Sequence, residues 1–165
     1  MSERFTCSIC GQDHVGLATD WAYGLPDVVW DIPQAERAER ARFTSDLCQF
    51  GERYFIRCVL EMPFTHVPGH FGWGAWAEVH WSTFESYLGL YDVDASSAPA
   101  ADGVLANELP PYRGSLGAPV TVKFRDAKNR PSLHLKSEDA GPLAVDQRAG
   151  IDEARHHQIL KTLGA

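Results

Sequence analysis

The sequence predicts an α+β fold: a mostly antiparallel sheet with flanking helices, in a single domain. Three observations predict it. Segments of alternating apolar residues follow one another through turns short enough for hairpins, helical patterns are interspersed among them, and no β–α–β alternation calls for a parallel sheet. With 165 residues, 44% of them apolar and 22% charged, the chain has the size and make-up of one globular domain over 1–165.

The elements follow in order. After a cysteine-bearing N-terminal segment, 33–42 reads as a short helix with Pro33 in its first turn and Asp31 as its cap. Only Ala35, Ala38 and Ala41 offer an apolar stripe, so the helix is expected on the surface. Ser45 to Phe50 and Arg53 to Met62, joined through Gly51-Glu52, read as a hairpin. In its second strand Ile56, Cys58, Leu60 and Met62 share one face, with Phe55, Arg57, Val59 and Glu61 on the other. Pro63 ends the run.

Residues 71–81 form the clearest strand. Phe71, Trp73, Ala75, Ala77, Val79 and Trp81 fall on one face, and Gly72, Gly74, Trp76, Glu78 and His80 on the opposite one. A helix is expected over 82–91, with Ser82 as cap and Glu85 as its capping-box partner. The small, polar stretch 94–103 reads as a mobile loop within the domain. Val104 to Leu109 is expected as a strand, and 119–125 with 131–136 as a second hairpin turning at Asp126-Ala127-Lys128-Asn129. Residues 151–163 close the chain as a helix, with His156 and His157 expected at its surface.

Charge narrows the function classes. The net charge is −7, and between Arg57 and Arg113 there is no Lys or Arg, while Glu61, Glu78, Glu85, Asp92, Asp94, Asp102 and Glu108 all fall there. Phosphate binding needs clustered cations, so nucleic acid is not expected as a partner. No apolar run is long enough to span a membrane, so no membrane partner is expected either. The first residues show no basic segment followed by an apolar one, and a cytoplasmic location is expected.

The four cysteines are expected as thiols in that compartment. Cys7-Ser8-Ile9-Cys10-Gly11 is a C-x2-C-G knuckle, over about 5–16, in which one tight turn can present two thiolates to zinc. His14 and Cys48 are the candidates to complete a tetrahedral set, and His66 and His70 stand behind them. Pro68 and Gly69 deny that last pair a helical spacing. A reduced thiol pair in a tight turn is the alternative for Cys7 and Cys10. A redox role would need the pair to open a helix after a buried strand, and Gly11 does not supply that context.

The candidate ligand-binding face is the strand face of Trp76, Glu78 and His80, joined by Arg57 from the hairpin. Gly72 and Gly74 strip side chains from it, which predicts a concavity with an aromatic wall and ionisable groups. Two functions fit. The first is a noncatalytic module that binds a small molecule or a protein through an aromatic-rich face, with or without a structural zinc. The second is a small metal-dependent or hydrolytic enzyme in which Glu78 orients His80 as a general base.

Several dispersed segments occur together in a familiar order. They are Cys7-Ser8-Ile9-Cys10-Gly11 with His14, Ser45-Asp46-Leu47-Cys48, Tyr54-Phe55-Ile56-Arg57, Phe71-Gly72-Trp73-Gly74-Ala75-Trp76, Leu109-Pro110-Pro111-Tyr112, Arg130-Pro131, and Pro142-Leu143-Ala144 with Gln147, Gly150 and Ile151. From Phe5 to about Leu163 the chain resembles the bacterial domain of unknown function 2199 family. The resemblance implies a small single-domain bacterial protein and carries no assigned activity. Two positions depart from it. Cys58 stands where a glycine is usual, and Asp139-Ala140-Gly141 stands where the family tends to have Asp-His before Pro-Leu-Ala. The second departure weakens any mechanism that relies on a histidine there.

Overall fold

A computed structural model of the chain describes residues 18–164, together with the backbone of β1 (Phe5–Thr6) and β2 (Asp13–His14), which pair antiparallel. The knuckle cysteines Cys7 and Cys10 lie outside the described residues, as does the side chain of His14. The elements that follow are β3 (Asp20–Ala22), α1 (Asp27–Trp30), a 3-10 turn at Gln34–Glu36, α2 (Arg37–Arg40), β4 (Arg42–Phe43), β5 (Leu47–Phe50), β6 (Arg53–Pro63) and β7 (His70–Val79). After them come α3 (Trp81–Leu90), β8 (Ala101–Leu105), β9 (Pro119–Lys123), β10 (Ser132–Leu135), α4 (Pro142–Ala149) and α5 (Glu153–Leu163).

The fold is α+β, and its sheet is mixed and closed. β6 and β7 pair antiparallel from Tyr54↔Val79 to Pro63↔His70. From β7 the ladder runs through β8, β9 and β10 and returns to β6, so these strands form a small barrel, with β3, β5 and β4 as extensions. The contacts β10–β6 and β3–β7 are parallel. Closure satisfies edges that an open sheet would expose.

The predicted alternation fills the barrel. Ile56, Cys58, Leu60 and Met62 face Ala77, Ala75, Trp73 and Phe71 across the ladder, and all are fully buried. A large residue meets a small one at Ile56–Ala77, as interdigitated packing of the interior requires. α3 covers one end, where Phe84 and Tyr87 lie against Tyr54 and Phe124. Leu143 of α4 and Ile159 and Leu160 of α5 join the same buried cluster. Between these helices Gly150 takes φ +89°, and a Cβ there would stand 2.7 Å from the Pro63 carbonyl oxygen. Only glycine lets this joint dock on the end of β6, where Ile151 N donates to that oxygen at 2.8 Å.

A second, smaller core lies outside the barrel. Leu25, Val29, Ile32 and Ala41 cover Cys48, Phe55 and Trp76 there. Asn107, fully buried, ties this strap to the barrel: its Oδ1 accepts from Trp76 N at 2.8 Å, and its Nδ2 donates to Leu25 O at 3.0 Å and Asp27 Oδ1 at 2.9 Å.

Several expected elements change. The helix over 33–42 divides into the 3-10 turn and α2, because the strap must bend to bring Ala41 under the sheet while leaving Ala35 and Ala38 exposed. The strand expected over 71–81 ends at Val79. His80 takes the cap position and Trp81 opens α3, half exposed, so Ser82 and Glu85 form no capping box. Ala101 to Gly103, expected in the loop, pair with β9, and the strand stops at Leu105. His156 and His157 are buried at 4% and 8%, not on the surface. His156 precedes Ile159 and Leu160 by three and four residues and so shares their inward face. Among the described residues no helix is long and apolar enough to cross a membrane.

Asn107→Ala leaves the Trp76 amide and the Leu25 carbonyl without a partner in a dry site. The expected loss is about 1–3 kcal/mol in urea unfolding, with the near-ultraviolet tryptophan signal of the native state weakened.

Candidate functional site

The expected strand face is divided by the fold. Trp76 is fully buried in the outer core, and its indole N–H donates to Tyr23 O at 3.0 Å. The space left by Gly74 is taken by Ala22 of β3, whose Cβ would lie 2.8 Å from a Cβ at residue 74. Both Glu78 oxygens accept from Arg53, at 2.9 and 2.7 Å. His80 is exposed, and with Glu78 and Asp102 it borders a depression of about 390 Å3. Arg57 is directed elsewhere, one terminal nitrogen donating to Ser45 O at 3.2 Å. The concavity expected around Trp76 is therefore closed by packing.

The candidate metal ligands fare similarly. Cys48 is buried against Phe55 and Trp76, and burial pushes its thiol up to about 11, which disfavours the thiolate. His66 and His70 are exposed, His70 facing Glu61 at 3.6 Å. Among the described residues no group of three His, Cys, Asp or Glu side chains could hold a metal ion.

A cavity of about 680 Å3 lies where the 109–118 loop meets α4. Pro110 and Pro111 cannot donate, so the loop is organised from Glu108. Its carboxylate accepts from the N–H groups of Gly114 and Leu116 and from the Ser115 hydroxyl, each at 2.9 Å. Ser115 Oγ in turn accepts from Leu109 N at 2.8 Å. Burial raises the Glu108 carboxyl, but the donors at Gly114, Leu116 and Ser115 outweigh it and hold the group below its ordinary value.

Tyr112 anchors the loop to the helices. Its hydroxyl donates to Asp146 Oδ2 at 2.6 Å, the Arg155 guanidinium donates to the same oxygen at 3.0 Å, and that guanidinium lies 4.9 Å over the tyrosine ring. Burial, then the bond to Asp146, drive the phenol to a higher pKa, so Tyr112 stays neutral and positions its neighbours. The opposite wall is held by Gln147, whose Oε1 accepts from Leu135 N at 2.8 Å and whose Nε2 donates to Leu133 O at 2.6 Å. That side-chain amide stands in for a missing strand along β10.

The family model of uncharacterised proteins conserved in bacteria, DUF2199, matches residues 6–151. The chain belongs to that family. No curated protein and no solved structure matches it. The DUF2199 match includes both walls of the groove, and the Leu109-Pro110-Pro111-Tyr112 and Pro142-Leu143-Ala144 segments quoted from the sequence converge there. Asp139 and Gly141 line the same groove, so it carries no imidazole where the family resemblance leads one to expect it.

Sequence reasoning missed this site for a definite reason. α4 is not predicted, although Gly141 followed by Pro142 at the first helical turn is a start signal. Without α4 the two segments have no reason to meet.

A carboxyl held low contributes stability above its ordinary pKa, and the contribution is lost as pH falls through the folded-state value. Glu108→Gln is therefore expected to be less stable than wild type at pH 7, by about 1 kcal/mol. The difference should narrow below about pH 4. Urea unfolding at both pH values, with amide exchange at Gly114 and Leu116, measures it.

Proposed function

We propose that the chain is a noncatalytic binding protein that holds a small, mainly apolar molecule in the groove between the 109–118 loop and α4. One observation carries this reading. The groove has a ligand-sized volume of about 680 Å3, with apolar wall from Pro110, Pro142, Leu143 and Leu135 and polar groups from Arg113, Ser115, Asp139 and Thr162 to orient a ligand. The ionisable groups behind those walls are engaged: Asp146 with Tyr112 and Arg155, and Glu108 with the loop. Such an arrangement supports shape and orientation rather than proton transfer. The catalytic alternative on Glu78 and His80 draws less support, because Arg53 already occupies both oxygens of the carboxylate that would orient the imidazole.

A fragment set screened by amide-resolved NMR is expected to give hits that shift Arg113, Ala118, Leu135 and Thr162. Thr162→Trp, which fills the groove from its exposed border, should abolish them without lowering the unfolding midpoint. Hits that cluster instead on Glu78, His80 and Asp102 would move the site to the strand face.

A structural zinc at Cys7 and Cys10 is compatible with this role. Metal content of protein purified without added zinc decides between it and a thiol pair. About one zinc per chain, lost in the Cys7→Ser/Cys10→Ser variant, is the outcome a structural site requires.

A further inference from the structure

A second cavity of different chemistry, about 450 Å3, lies at the seam of the barrel. Along β6 the neighbouring strand changes here: Arg57 N donates to Asp46 O and Val59 N donates to Pro131 O, each at 2.9 Å. Tyr87 and Tyr91, from α3 and its C-cap, cover one side, and the turn between β9 and β10 covers the other. Three segments noted in the sequence, Ser45-Asp46, Arg57 and Arg130-Pro131, converge at this point.

The hydrogen bonding of the cavity is one-sided. Asp46 is fully engaged, Oδ1 accepting from Arg130 Nε at 2.8 Å and Oδ2 from the Tyr91 hydroxyl at 2.6 Å. Burial raises its carboxyl, and the bonds from Tyr91 and Arg130 outweigh that and hold it below its ordinary value. Asp126 Oδ1 caps the turn, accepting from Lys128 N and Asn129 Nδ2 at 2.9 Å each. The donors are in surplus. The terminal nitrogens of Arg130, the Lys128 ammonium and the Tyr87 hydroxyl have no hydrogen-bond partner among the described residues. Beside them the Nε of Arg57 is buried and equally unpartnered. Burial, and then the charge of Arg130, lower the Arg57 pKa, and Asp46 partly offsets them.

The charge count selects the ligand. Arg125, Lys128 and Arg130 line the cavity against Asp46 and Asp126. Arg57 adds a cation beside it, and Glu61, which accepts from Arg125 at 3.3 Å, balances that. Among the groups that line the cavity the cations exceed the carboxylates by one, in a chain whose net charge is −7. That excess suits a monoanion better than a phosphate dianion. Val59, Leu90 and Val93 supply apolar wall for the rest of a ligand.

We propose that this cavity binds a small carboxylate with a compact apolar body, its oxygens directed at Arg130 and Lys128. A planar guanidinium fork matches a carboxylate in geometry, and the unfilled donors would each gain an acceptor. The site is separate from the groove at α4, and either can be right without the other.

Benzoate, benzyl alcohol and inorganic phosphate, each titrated into the full chain and followed by amide-resolved NMR, test it. Benzoate is expected to shift Tyr91, Lys128 and Arg130 saturably, with phosphate weaker and benzyl alcohol without effect. Arg130→Gln should weaken benzoate roughly tenfold, and Lys128→Gln and Tyr87→Phe roughly threefold to fivefold each. Lys161→Gln on α5 should change nothing. If Arg130→Gln fails to fold because Asp46 loses its partner, the Lys128 and Tyr87 variants decide. An equal response to benzyl alcohol, tighter binding of phosphate than of benzoate, or affinity unchanged in both Lys128→Gln and Tyr87→Phe overturns the proposal.

Discussion

The antiparallel ladder of β6 and β7 is the interaction on which the rest of the structure depends. It brings Leu60 against Trp73 and Met62 against Phe71 inside, and Phe55 and Trp76 onto the outer face. A ladder this long between twisted strands coils, and the sheet that grows from β7 through β8, β9 and β10 comes back to the far edge of β6. That edge is shared. β5 serves it up to Ile56, Asp46 and Pro131 serve the next amides, and β10 touches it at Val59.

Closure by so short a contact leaves backbone groups that other chemistry must satisfy, and side chains do it. Gln147 completes the exposed edge of β10, Asn107 serves the Trp76 amide, and Glu108 gathers the N–H groups of a loop whose prolines cannot pair. Each of these amide or carboxylate groups acts as a substitute peptide group for the backbone groups it meets. Two of the cavities fall beside such irregular pairings. The α4 groove lies beside Gln147 and Glu108, and the seam cavity beside Asp46 and Arg130. Irregular closure of the barrel thus accompanies both of these cavities.

Much of the barrel is legible in the sequence. The period of two in 53–62 and 71–79 assigns the residues of those strands to their observed faces, because burial inside a narrow barrel tolerates no slip of register. The hairpin at Asp126-Ala127-Lys128-Asn129 is legible for the same reason, through Val120, Val122, Leu133 and Leu135. The helices are less so. α4 is too short and too mixed in composition to announce itself, and 33–42 has helical composition but is bent by its duty to cover Phe55 and Trp76. His156 and His157 read as surface residues by type, yet the α5 face they share with Ile159 and Leu160 is the one that docks. His156 accordingly meets Ala18 O at 2.7 Å and the rings of Phe64 and Phe71.

The sequence by itself determines the two central strands, which of their faces is uniformly apolar, membership of a family without assigned activity, and the acidic balance that sets nucleic acid aside as an expected partner. All of these rest on local pattern or composition. Tertiary structure alone decides whether the second face of β7 is open or covered. Alternation places Trp76 opposite Trp73 but is silent about Leu25, Val29 and Ile32, which arrive from dozens of residues away to seal it. It also decides which cations end beside which carboxylates. Asp46 and Arg57 share a hairpin, but Arg130 is remote from both in the chain and meets Asp46 at the seam, and a charge cluster is set by distance in space, which no spacing along the chain encodes.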